Sequence, residues 1–343
     1  MSEVERPAAA TCEPALPYPQ ACEPVFRHVL ACLDMSPFSH AVLAHASAVA
    51  SMMNARLTVL HVLEPSGSGT VPTDPVEWTL RHRDVEAALR DRMSRFDGID
   101  AEIVLIDGPA AECICAWVRD HGVDLTVLGV SGNSNWPFPG LGGTARRVAE
   151  AIEGSVLLAP SVEAGEDAIR YRRVMTPLDG SPRAESSLPI AVGLAAAHDA
   201  EILLVHAAPN VDLTEIGPLE AEARALRDQL RRRNERVAEQ YITKVRARLP
   251  LAESCSRTRL IASGDARHAL AVAAVEDQAD IIVLSSTGAS GHPDISVGSV
   301  AEYLINHADI PILLVRGHEW MRRRASQCGG DAQPARLPSR ALM

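Results

Sequence analysis

The chain has 343 residues, of which 47% are hydrophobic and 22% charged; this suits a folded protein of about two domains and excludes wholesale disorder. Its net charge of −11 gives no general pull toward nucleic acid or anionic lipid. No apolar run reaches the ~20 residues of a spanning helix, so neither nucleic acid nor a membrane is an expected partner.

Residues 1–24 are acidic and proline-rich, with Pro7, Pro14, Pro17, Pro19 and Pro24 opposing regular structure, and they read as a disordered arm. The arm lacks the basic start and apolar block of a secretory signal. Beyond it, short apolar runs alternate with helical patterns. RHVLACL (27–33) is a strand, Ser39 to Asn54 a helix, and RLTVLHV (56–62) a second strand. A variable segment follows, with helical spacing from Val85 to Phe96, and then the strand AEIVLI (101–106). A helix from Ala110 to His121, the strand DLTVLGV (124–130), a glycine-rich loop, a helix from Thr144 to Ile152 and the strand SVLLAP (155–160) complete the set. Residues 161–170 form a polar linker.

The order then repeats. Val29 to Pro37 (VLACLDMSP) matches Val174 to Pro182 (VMTPLDGSP), and His61 matches His206 at the same offset. Gly108 and Gly264 share a second offset with Asp124 and Asp280, and SVLLAP is answered by PILLVR (311–316). Ordered matches of this length indicate an internal duplication. The second variable segment spaces Leu219, Ala223, Leu226, Leu230, Val237, Tyr241, Val245 and Leu249 as one amphipathic helix, with Arg231, Arg232 and Arg233 on a solvated face. The fold class is therefore α/β. It consists of two tandem, open, doubly wound five-stranded parallel-sheet domains of Rossmann-like type, at 25–160 and 171–317. An aromatic content of only 3% leaves the core to Ala, Val, Leu and Ile, as close packing on a buried parallel sheet requires. The Arg-rich stretch 318–343 has no periodicity and reads as a disordered tail.

Seven cysteines (Cys12, Cys22, Cys32, Cys113, Cys115, Cys255, Cys328) include no CxxC pair. That pattern supports free thiols in a reducing cytoplasm rather than zinc or a disulfide framework. His40 and His45 have no partner at metal-ligand spacing. No P-loop, nucleophile elbow or kinase motif set occurs.

In an open parallel sheet, ligands collect at the carboxyl ends of the strands. Asp34 and Asp179 stand there, each followed two residues on by Ser36 or Ser181. Each Asp either accepts from a base or ribose or helps to cap the next helix, a role expected of the serines in any case. His61 and His206 read as structural strand histidines. The loop after the fourth strand carries Gly129, Gly132, Gly140, Gly142, Gly143 and Thr144 in the first half, and Ser285, Thr287, Gly288, Gly298 and Ser299 in the second. Glycines leading into a helix start let backbone N–H groups approach a phosphate.

Over residues 25–317 these features resemble the universal stress protein family in tandem form, whose nucleotide-binding branch carries Gly-x2-Gly-x9-Gly-Ser/Thr. The second half matches as Ser285-x2-Gly288-x9-Gly298-Ser299. The first keeps Gly129-x2-Gly132, with ten residues before Gly143-Thr144. The resemblance implies ATP as ligand, with or without Mg, and a role as regulator or sensor in stress response rather than as an enzyme. It also implies pairing of the two last strands in an intrachain pseudo-dimer, which leaves a homodimer open. The alternatives are a nucleotide-free interaction scaffold and a slow ATPase or phosphotransferase. The second half, with its nine-residue spacing, is the favoured site. In the first, one inserted residue, Pro137 and Pro139, and the bulk of Trp136 and Phe138 stand against it.

Overall fold

The computed structural model describes residues 26–64, 75–95, 101–130, 140–161, 169–208, 221–252, 255–261, 265–288 and 297–316. The expected arm, most of the linker and the tail lie outside these residues, as do Gly132, Trp136, Pro137, Phe138 and Pro139.

The first half runs β1 (His28–Leu33), α1 (Ser39–Met53), β2 (Arg56–Leu63), α2 (Pro75–Met93), β3 (Ala101–Asp107), α3 (Ala110–Asp120), β4 (Leu125–Gly129), α4 (Gly143–Ala151) and β5 (Ser155–Ala159). The second half runs β6 (Arg173–Leu178), α5 (Pro182–Glu185), α6 (Leu188–His198), β7 (Glu201–Ala207), α7 (Ala221–Arg248), β8 (Ser256–Ile261), α8 (Ala266–Glu276), β9 (Ile281–Ser285), α9 (Ser299–His307) and β10 (Ile312–Val315). One ten-stranded sheet, ordered β3-β2-β1-β4-β5-β10-β9-β6-β7-β8, joins them. All strand pairs are parallel except β5 with β10, where Ile312, Leu313 and Leu314 oppose Leu158, Leu157 and Val156. Each half thus uses the edge strand of the other to satisfy its own backbone.

Period-two alternation divides the strands between two cores. Val29, Ala31, Leu157 and Leu313 face one core, with Leu43 of α1, Leu89 of α2, Ile190 of α6 and Ile242 of α7. Leu30, Val156, Leu158 and Leu314 face the other, with Ile114 of α3, Val148 of α4, Leu270 of α8 and Leu304 of α9. Both cores run across the seam. Among the described residues, no helix is long and apolar enough to cross a membrane.

The repeated Asp before the fourth strand proves to be an anchor. Asp124 Oδ2 accepts from the N–H of Arg27 at 2.6 Å and of His28 at 3.0 Å. Asp280 Oδ2 accepts from Arg172 and Arg173 at 2.7 and 2.8 Å. In each half this ties the start of the first strand to the start of the fourth.

Three elements differ from the sequence reading. α2 begins at Pro75 rather than Val85, because its first turns are held by polar contacts that periodicity does not register. Trp78 Nε1 donates to Asp107 Oδ1 at 3.2 Å, and His82 Nε2 lies 3.1 Å from the same carboxylate. The helix after Ser181 breaks after Glu185 and resumes at Leu188; Pro189 near the restart has no N–H to give the preceding turn. Ser181 caps as expected, accepting from the N–H of Ala184 at 3.1 Å. Ser36 does not cap: α1 starts after Phe38 with no side-chain cap.

Candidate functional site

At the carboxyl ends of β1, β2 and β4 the first half opens into a cleft of about 470 Å³, a size typical of small-molecule sites. It is lined by Asp34, Met35 and Phe38 after β1, by Gly129 and Val130 at the end of β4, and by Gly142, Gly143 and Thr144 at the start of α4. Four of the residues expected from sequence, Asp34, Gly129, Gly143 and Thr144, therefore line a single space.

The Asp34 carboxylate is positioned by its own turn: Oδ1 accepts from Ser36 N–H at 3.0 Å and from Ser39 Oγ at 2.9 Å. Across the cleft, α4 begins without a side-chain cap at Gly142, so its first N–H groups and the positive end of its dipole face the space. His61 has a structural role as expected. Its ring nitrogen Nδ1 donates to the Leu33 carbonyl at 2.7 Å, as His206 does to Leu178 at 2.8 Å. Burial lowers the pKa of His61, the Leu33 carbonyl and Asp34 oppose that shift, and Arg81 and Arg92 add to it. Cys32 also lines the cleft. Burial, with Cys115 nearby, raises its thiol pKa far above the usual range, so it is no nucleophile.

Sequence reasoning missed Arg81. It comes from the part of α2 that carries no apolar period, lines the cleft and donates from Nη2 to the Glu64 carbonyl at 3.1 Å. Its only signal was its place in the variable segment after the second strand.

The structure also changes how the two loops correspond. Gly142 N–H donates to the Val130 carbonyl at 2.8 Å, and Gly298 N–H to the Ser286 carbonyl at 2.7 Å. Gly142 and Gly298 are the N-caps of α4 and α9. The counterpart of Gly298 is thus Gly142, not Gly143. Nine residues separate Gly132 from Gly142, as nine separate Gly288 from Gly298. The expected insertion in the first loop does not exist. What departs is the residue after the cap: Gly143 stands opposite Ser299, and the hydroxyl moves one place on, to Thr144.

In the second half the expected residues meet one another. A Cβ on Gly288 would lie 2.3 Å from Asp179 Oδ2, and one on Gly298 would lie 3.4 Å from the Ser286 carbonyl. Asp179 Oδ1 accepts from Ser181 N–H and Oγ at 2.9 and 2.6 Å, and Ser285 Oγ donates to the Thr287 carbonyl at 2.7 Å. Asp179, Thr287, Gly288 and Gly298 are in mutual contact or one residue from it, with Ser299 starting α9. The Gly298 bond that closes this loop has its equal at Gly142 in the first half, and the cleft described above, of about 470 Å³, lies in the first half.

Among the described residues, no group of three or more His, Cys, Asp or Glu side chains could hold a metal ion, and the four described cysteines are free.

The family model for the universal stress protein family matches residues 26–160 and 170–316. A curated universal stress protein of Mycobacterium tuberculosis, Rv2623, is 23% identical over 302 residues, covering 83% of this chain and 94% of that protein. The "universal stress protein in QAH/OAS sulfhydrylase 3′ region" of Thermus aquaticus is 31% identical over 147 residues, 43% of this chain and 99% of that one. Among solved structures, a universal stress protein from Archaeoglobus fulgidus aligns with a TM-score of 0.59 at 19% identity. It covers 85% of this chain and 97% of that one, a likeness of fold.

Proposed function

The chain belongs to the universal stress protein family over both its halves, and from that premise we propose that its first half binds an adenine nucleotide, ATP, and that the protein serves as a regulator or sensor in stress response. The observation that carries this reading is the cleft in which Asp34 faces the uncapped start of α4 at Gly142, Gly143 and Thr144. A carboxylate on one wall suits the hydroxyls of a ribose or the amino group of a base. Free N–H groups and a hydroxyl on the other suit phosphate oxygens. Arg81 adds a cation at the same space. That the base is adenine rests on the resemblance of the two loops to the family's nucleotide-binding motif.

A regulatory role is supported by what lies behind the cleft. α4 rests on α9 of the other half: Arg146 Nη1 is 3.7 Å from Glu302 Oε1, and Gly140 sits so close to Asn306 that a Cβ there would lie 2.8 Å from its Oδ1. A shift of α4 on occupancy of the first half would reach α9 of the second through this contact.

Mass spectrometry of the freshly purified, denatured protein tests the reading. ATP released and unchanged after incubation supports it. ADP accumulating during incubation would make the protein a slow ATPase. A protein that arrives empty and takes up no ATP in calorimetry would be a nucleotide-free scaffold.

A further inference from the structure

The residue after the first-strand aspartate differs between the halves in a way that bears on ligand choice. After Asp179 stands Gly180 with φ +86°, and after Asp34 stands Met35 with φ +65°. Left-handed backbone comes without steric cost to glycine but not to methionine. The first half therefore keeps a side chain where the second has none.

That side chain borders two spaces. Met35 lines the cleft that also holds Asp34 and the start of α4, and it lines a wider, more open groove of about 660 Å³ along α2, where Val76, Leu80, Val85 and Ala88 lie beside Glu77, Arg81 and Asp84. Arg92, in the last turn of α2, fixes it there. Its Nη2 donates to the Met35 carbonyl at 3.1 Å, and its Nη1 lies 3.8 Å from Sδ. Met35 thus stands between the cleft and the α2 groove, next in sequence to the carboxylate that the proposed function sets against base or ribose.

We propose that Met35 is the specificity-determining residue of the first-half cleft, a thioether wall against which the ring of a bound nucleotide packs. This rests on the nucleotide reading given above. A polarizable sulfur makes favourable contact with an aromatic ring and adapts to its outline. Without that wall, the cleft retains its phosphate-facing donors but loses its preference for a ring-bearing ligand over a bare polyphosphate.

The test is calorimetric titration of the full-length protein with ATP and, separately, with inorganic tripolyphosphate. Met35→Gly should weaken ATP binding roughly 3- to 10-fold, the worth of one sulfur–ring contact, and leave tripolyphosphate binding unchanged. The backbone carbonyl that Arg92 holds is retained and the left-handed conformation suits glycine, which offset part of the packing that Met35 makes on the core; the free variant should remain folded, with a melting temperature lowered by only a few degrees. Met35→Leu should keep most of the preference. Unchanged ATP affinity in Met35→Gly, or equal weakening of both ligands, would overturn the role of Met35 while leaving the nucleotide site in place. A wild-type protein that binds no ATP would overturn both.

Discussion

Gly142 and Gly298 hold equivalent places in the two halves, each closing its loop by donating to the carbonyl one residue past the fourth strand, at 2.8 and 2.7 Å. This equivalence restores the nine-residue spacing of the first loop and sets Thr144, rather than Gly143, as its hydroxyl. If Thr144 donates to a bound phosphate, Thr144→Val should cost about 1 kcal/mol of ATP binding, a roughly fivefold rise in Kd. Its side chain is exposed on the first turn of α4, so the thermal stability of the free protein should be unchanged. Titration calorimetry with differential scanning on the same samples separates the two quantities. An unaltered Kd would remove Thr144 from the site.

Gly288 and Asp179 approach so closely that a side chain at 288 requires the Asp179 carboxylate to shift. In Gly288→Ala the new Cβ would fall 2.3 Å from Asp179 Oδ2, so the carboxylate must swing away from Ser181 N–H and Oγ. Disturbing these bonds should cost about 1–3 kcal/mol of stability, read by urea denaturation. Asp179→Ala should also destabilise the free protein, by about 0.5–2 kcal/mol, as loss of a turn-fixing acceptor does. A free protein indifferent to both changes would mean that this half is looser than the geometry gives.

The seam should be sensitive to acid. His45 Nδ1 lies 2.8 Å from the Tyr171 hydroxyl, with the rings stacked at an interplanar angle of 4°, so α1 of the first half meets the entry to β6 of the second. Burial pushes the His45 pKa down to about 4 from 6.5. The unfolded chain therefore takes up the proton first. Stability is full above pH 6.5 and falls as pH drops from there toward 4, by about 3 kcal/mol at 1.36 kcal/mol per pKa unit. His28, His61 and His198 are lowered in the same direction by burial and add to the slope. Urea midpoints between pH 7 and pH 4.5 would show it, and His45→Phe should flatten the profile. An equal slope in that variant would clear His45 of the effect.

The shared sheet depends on a few leucines. Leu157 and Leu313 face each other across the antiparallel pair and are fully buried. Leu313→Ala should cost about 2–5 kcal/mol, measured by chemical denaturation. A loss under 1 kcal/mol would mean that the two halves hold together by other means.

The sequence made the fold legible because each half repeats strong signals: period-two apolar runs, helices of ordinary length, and an Asp or His recurring at a fixed place. Asp124, Asp280, His61 and His206 recur because each bonds a backbone group of a neighbouring strand. The start of α2 was not legible, since Trp78 and His82 are held by Asp107, a contact across 25 residues or more that no local period encodes. The site was legible in its residue types but not in its register. Two adjacent glycines, Gly142 and Gly143, offered two alignments, and only the hydrogen bond to Val130 decides between them. Nor could the sequence tell how closely Gly288 approaches the Asp179 carboxylate, because the two lie more than a hundred residues apart.

The most direct test of the account is where a nucleotide sits. Photolabelling the full-length protein with 8-azido-ATP, with excess ATP as competitor, followed by peptide mass spectrometry, reads this in one measurement. The account predicts competable label on first-half peptides that contain Asp34, Met35 and Phe38 or Gly129, Val130, Gly142, Gly143 and Thr144, residues that line the cleft. Competable label confined to second-half peptides around Asp179 or Thr287, or no competable label at all, would contradict it.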